Sequence, residues 1–108
     1  MASEKPEDVF ISVVCDSSSV NSVFPKHFNE NEWLVDSGCT CHMTPLKGLF
    51  SNYEIVHSGT VSMANEKQCI VAGMGDVCLR FDSGYSYVLK NVRHVPNLCQ
   101  NLISCAAL

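Results

Sequence analysis

From residue 33 onward the chain alternates short apolar runs with polar punctuation: WLV at 33–35, TVSM at 60–63, QCIVAG at 68–73, DVCLRF at 76–81 and YSYVLKNVRHV at 85–95. Runs of this length, rich in Val, Ile, Tyr and Phe, predict β-strands. Residues 64–67 (ANEK) separate one pair of runs and Asp82-Ser83-Gly84 another, which predicts two hairpins. Gly73-Met74-Gly75 lacks the helix and lysine that a phosphate loop needs, and it reads as a bend in a strand. Arg93 and His94 are expected to point outward beside Val92 and Val95. Helical character is confined to a turn or two near PLKGLF, after Pro45, and to the last eight residues, NLISCAAL, where Asn101 is placed to cap a short apolar helix. The pattern predicts an all-β fold, a small, closed or nearly closed β-barrel with one short C-terminal helix.

The first 32 residues have a different texture. An acidic start leads into DVFISVV, residues 8–14, whose alternation predicts a strand. The polar stretch CDSSSVNSVFPKHFNENE follows, with Pro25 in it, and reads as a linker. The expected organisation is an N-terminal extension over 1–32 and a barrel domain over 33–108. A chain of 108 residues supports one modest core, and 46 % apolar residues support a folded one.

Composition narrows the partners. No stretch approaches 18 apolar residues, so no membrane span is expected. The opening MASEKPED lacks the basic and apolar regions of a secretory signal, so the expected location is intracellular and cytoplasmic. Seven cysteines are an odd number for a disulfide framework. In a reducing compartment they are expected to be buried, small, apolar thiols. A formal charge of −4 with scattered Lys and Arg offers no basic stripe, so direct nucleic-acid binding is not expected.

The chemistry concentrates at WLVDSGCTCHM, residues 33–43. A carboxylate that activates water must stand at the rim of a rigid sheet, where backbone can approach the substrate closely. Asp36 ends the WLV strand, Ser37 offers a hydroxyl to tie the loop, and Gly38 removes a side chain at the point of approach. The same triplet recurs as Asp82-Ser83-Gly84, but LRF and YSYV flank that copy and make it a hairpin tip. One small core cannot supply two catalytic lobes, so a partner for Asp36 is expected from a second copy of the chain.

Trp33-x-x-Asp36-Ser37-Gly38-Cys39-Thr40-x-His42-Met43, then Leu49-Phe50-x-x-Tyr53, Gly73-x-Gly75-x-Val77, Asn91-Val92-x-x-Val95-Pro96 and Asn101-Leu102-Ile103-Ser104 resemble the protease region of copia-type LTR retrotransposon polyproteins. The resemblance runs from Trp33 to the end of the chain. It implies a retropepsin-like homodimer in which each subunit contributes one aspartate and which cleaves a polyprotein peptide without a cofactor. By that resemblance Asp36, Ser37 and Gly38 form the catalytic loop. Cys39 and the hairpin tip, Met63, Ala64, Asn65 and Glu66, contact substrate, and virus-like particles are a further location. No strand follows NLISCAAL in these residues, so DVFISVV is the segment expected to join two subunits, in a weak dimer. The alternative reading is a silent barrel that binds a peptide or protein without cutting.

Cys39, Cys41 and His42 could seed a zinc site, but one residue between the cysteines is short of the usual two to four, and no second ligand pair follows. No metal is expected. The two cysteines read as fillers around the loop, and His42 as a hydrogen-bonding structural residue.

Overall fold

The structure, a computed structural model, describes residues 11–15, 29–63 and 67–108. Nine strands account for nearly all of its regular structure: β1 (Ser12–Cys15), β2 (Glu32–Asp36), β3 (Met43–Thr44), β4 (Phe50–Ile55), β5 (Thr60–Ser62), β6 (Gln68–Ile70), β7 (Gly73–Arg80), β8 (Ser86–His94) and β9 (Asn101–Ser104). Seven of them form one sheet in the order β1-β2-β9-β3-β8-β7-β4, and β5 and β6 form a separate hairpin. The sheet order does not close on itself, with β1 and β4 at its two ends. The Ile11 N–H donates to the Arg80 carbonyl at 2.8 Å, which links the start of β1 to the end of β7. Of the expected strand over residues 8–14, positions 8–10 lie outside the described residues. Its later part pairs in parallel with β2 of the same chain, Ser12 opposite Glu32 and Val13 opposite Trp33.

Both predicted hairpins form, β5 with β6 and β7 with β8. The turn expected near PLKGLF is a single 3-10 turn at Lys47–Leu49. β7 shows why period-two alternation was a sound guide. Gly73, Gly75, Val77 and Leu79 are buried, while their neighbours are half-buried or exposed. The bend expected at Gly73-Met74-Gly75 coincides with a register shift between Gly75 and Val77 on β7, opposite Asn91, which has a φ of 58°. Gly73 has a steric reason as well. A Cβ there would come within 2.2 Å of the Tyr53 ring.

The core lies in two parts. Trp33, Val77, Leu79, Leu89, Val92 and Ile103 form one, while Met43, Cys69, Val71 and Val95 form the other beneath the β5–β6 hairpin. The indole N–H of Trp33 is buried without an acceptor among the described residues, and nothing in its surroundings explains this.

Four expectations are corrected. The C-terminal helix is absent: Asn101–Ser104 is strand β9, followed by a turn. It pairs in parallel with β2, and the Asn101 side chain is spent on distant backbone rather than on a local cap. A closed barrel is not shown: among the described residues the sheet order is open, with β1 paired there to β2 alone. His94 faces inward, 8 % exposed, since its Nδ1 meets the Tyr53 hydroxyl at 2.7 Å and Phe50 packs near its ring. Burial lowers its pKa, opposed by a backbone hydrogen bond to Pro45 and aided by the charge of Lys47. Finally, the thiols are not uniformly buried. Cys69 is, but Cys78, Cys99 and Cys105 are exposed; these four, with Cys39 and Cys41, are free.

Candidate active site

Asp36 is the last residue of β2, a strand with a neighbour on each side, β1 and β9. Trp33, fully buried, anchors the strand at its other end. In the β2–β9 register Asp36 stands opposite Ser104. The chain then turns sharply. The Gly38 N–H donates to Asp36 Oδ1 at 2.8 Å, and the Cys39 N–H donates to the Asp36 carbonyl at 3.3 Å. The carboxylate is therefore held at the rim by the backbone of its own loop. A Cβ at Gly38 would lie 3.3 Å from Oδ1, so glycine leaves the carboxylate its room. Ser37 and Gly38 are exposed, and Asp36 is half-buried.

Ser104 braces this loop from behind. Fully buried, it donates from Oγ to the Cys39 carbonyl at 2.8 Å and accepts the Ala107 N–H at 3.2 Å. Its own N–H donates to His42 Nδ1 at 3.0 Å. Because Nδ1 accepts a backbone proton, the neutral ring carries its own proton on Nε2. Burial lowers the pKa of His42, a backbone hydrogen bond with Ala107 opposes that shift, and the Arg93 charge adds to it. His42 is thus a neutral structural residue, as its sequence context suggested.

A second buried set of polar groups fixes the far end of the same strands. Thr44 Oγ1 donates to Asn101 Oδ1 at 2.6 Å, and Asn101 Nδ2 donates to the carbonyls of Glu30 and Glu32 at 3.2 and 3.1 Å. Neither Thr44 nor the true roles of Asn101 and Ser104 were found by sequence reasoning. The available signal was a pair of polar residues flanking the apolar Leu102-Ile103.

Cys39 sits half-buried beside Asp36 and packs against the second core cluster. Burial, the Asp36 charge, a thiol–carboxylate hydrogen bond and Cys41 push its thiol up to about 12. It remains protonated and is no nucleophile. Among the described residues no three His, Cys, Asp or Glu side chains gather to hold a metal ion. The Ser37 hydroxyl, expected to tie the loop, makes no hydrogen bond among the described residues. Ser104 does that work within the chain.

Met63 follows β5 half-buried, its N–H donating to the Lys67 carbonyl at 2.8 Å. Ala64, Asn65 and Glu66 lie outside the described residues. Below this hairpin an open groove of about 450 Å³ runs past Thr40 and Cys41, with Val61, Val71, Met74 and Arg93 in its walls. The second triplet is remote in character. Asp82, Ser83 and Gly84 are exposed in the β7–β8 turn, where the Gly84 N–H donates to the Phe81 carbonyl at 2.9 Å.

Residues 33–108 match the family model described as Pol polyprotein, beta-barrel domain. A curated relative, the retrovirus-related Pol polyprotein from transposon TNT 1-94 of Nicotiana tabacum, is 47 % identical over 79 residues, which is 73 % of this chain. The match spans only 6 % of that relative's length. No solved structure matches the chain. On the family match and this identity, the chain belongs to the β-barrel domain family of Pol polyproteins, here of the copia type.

Proposed function

We propose that this domain is an aspartic endopeptidase of a copia-type retrotransposon polyprotein, cutting extended segments of that polyprotein as a homodimer. The observation that carries the reading is Asp36 itself. It is a carboxylate at the rim of an internal strand, with a backbone N–H on one oxygen and a buried brace behind its loop.

Among the described residues one chain offers one such carboxylate, and the chemistry needs two. Two carboxyl groups about 3 Å apart cannot both ionise readily, so the pair keeps one proton. This sharing is the general property of aspartic protease pairs and is carried over here as such. The ionised member takes a proton from water as the water oxygen bonds to the peptide carbonyl carbon. The protonated member gives its proton to the carbonyl oxygen. Collapse of that tetrahedral species breaks the C–N bond, with a proton passing to the leaving nitrogen, and the shared proton is restored. A two-fold contact at the loop tips brings Asp36 to its own copy and sets the exposed Ser37 hydroxyl where the other subunit's loop can receive it. β1 is paired with β2 on one side, so a contribution of β1 to the dimer uses its outer edge.

The test is cleavage of the flanking polyprotein across a dilution series. Specific activity should rise with concentration until the dimer saturates, and excess Asp36→Asn chain should poison the wild type by forming one-carboxylate heterodimers. Flat specific activity with a monomeric mass by sedimentation overturns the mechanism. Peptide binding with no cleavage at any concentration favours a silent binding barrel.

A further inference from the structure

The groove below the β5–β6 hairpin has apolar walls from Val61, Val71 and Met74, with Thr40 and Cys41 along one side, and Arg93 is the charged member of its lining. Arg93 is placed rigidly. It lies on β8 opposite Met74 of β7 and Met43 of β3, and its N–H donates to the His42 carbonyl at 2.9 Å. Its side chain is half-buried and makes one hydrogen bond, from an Nη1 proton to the Asn91 carbonyl at 2.7 Å. A guanidinium has five N–H donors. Among the described residues it forms no ion pair; the one there joins Lys90 to Asp76. A cation held part-way out of water, with donors to spare, gains most from a carboxylate brought to it, and the planar fork suits a two-point contact.

We propose that this groove is a specificity subsite that takes an aspartate or glutamate side chain of an extended peptide, with Arg93 as the residue that selects it. The inference rests on the endopeptidase reading and names the substrate class of that site. Its place on the chain supports it. Thr40 and Cys41 lie just after Asp36 in the chain, so the groove is lined in part by the segment that carries the carboxylate. Alternate residues of an extended peptide face opposite ways, so one substrate position meets Arg93 and its neighbours do not. The apolar walls accommodate the methylene stem of an acidic residue, and the groove is within the size range of sites that enclose side chains and small ligands.

The test has two arms. In the first, the chain digests a proteome-derived peptide library and mass spectrometry reads the cut sites. Wild type should enrich Asp and Glu roughly tenfold at one fixed position from the cut. Arg93→Gln should lose that enrichment, Arg93→Lys should keep part of it, and Arg93→Glu should favour Lys and Arg at the same position. Circular dichroism establishes that each variant is folded. In the second arm, the Asp36→Asn chain is titrated by calorimetry with acetylated octapeptide pools carrying either Glu or Gln at each position in turn. One Glu position should bind roughly tenfold tighter, and Arg93→Gln should remove the difference. Cutting without an acidic preference, or a preference unchanged in Arg93→Gln, overturns the subsite and leaves the endopeptidase reading standing. Absence of cutting together with an Arg93-dependent Glu preference in binding overturns the endopeptidase reading and leaves the groove's selectivity standing. Equal binding of Glu and Gln pools overturns the subsite in either case.

Discussion

The chain writes Asp-Ser-Gly twice, and the two copies have almost nothing in common physically. Asp36-Ser37-Gly38 closes an internal strand, with Gly38 donating to the carboxylate and Ser104 bonded to the next carbonyl from the rear. Asp82-Ser83-Gly84 closes an exposed hairpin, where Gly84 has a φ of +94° and its Cβ would meet nothing. At the first copy glycine is required by the space beside Oδ1; at the second it is required by the backbone angle. The identity of a tripeptide therefore carries little chemistry, and the strand it ends and the residues behind that strand carry most of it.

The sharpest way to break this contrast is to neutralise each carboxylate. Asp36→Asn should lower peptide cleavage by about 10³-fold or more, because the acid–base exchange loses a member, whereas Asp82→Asn should cut at the wild-type rate. The reverse pattern would transfer the catalytic assignment to the hairpin.

The serines should separate next. Ser104→Ala strips the half-buried Cys39 carbonyl of its donor and should cost about 1–2 kcal/mol in urea denaturation. Ser83→Ala removes only a long contact with the exposed Tyr85 N–H, 3.4 Å, and should stay within about 0.5 kcal/mol. Equal losses would mean that the brace behind Asp36 contributes nothing special.

Glycine replacement should then divide stability from activity. Gly84→Ala should destabilise by about 1 kcal/mol, since an L side chain at that φ is strained, and leave cleavage intact. Gly38→Ala should shift stability by less than that, yet reduce cleavage, as the new methyl crowds Oδ1. Denaturation midpoints and cleavage rates measured on the same samples decide it.

The smallest effect is a pH dependence confined to one copy. Burial holds the pKa of His42, and of His94, below the ordinary 6.5, so the unfolded chain takes up these protons first as pH falls. Stability should be unaffected by these groups well above pH 6.5. It should fall as the pH drops below that value, by at most about 1.4 kcal/mol per pH unit for each histidine. A protonated His42 cannot accept the Ser104 N–H, so exchange at the Ser104 and Cys39 amides should speed up, after correction for intrinsic rates, while that of Gly84 does not. Protection that stays constant at Ser104 from pH 7.5 to 5.5 would contradict this.

Local pattern was legible and distant pairing was not. The β5–β6 and β7–β8 hairpins follow from alternation and turn residues a few positions apart, and the rim position of Asp36 follows from WLV running into an acid and a glycine. NLISCAAL misled because Asn101 before an apolar run is a good local cap, whereas in the fold its amide reaches Glu30 and Glu32. His94 misled for the same reason, its partner Tyr53 being 41 residues away. Ser104 gives no local sign of its task. What it holds lies across a parallel pairing that no short window of sequence contains.

That pairing also sets a clock. Ser104 and the carbonyl it holds are 65 residues apart, and β9 is the last strand among the described residues. On a ribosome adding roughly 5–20 residues per second, the Asp36 loop emerges several seconds before its brace has been synthesised, and the non-local closure adds its own delay. During that interval the nascent chain displays an aspartate without a finished site. On the endopeptidase reading proposed above, cutting waits until Ser104 has left the tunnel, so the order of these strands postpones the first cut.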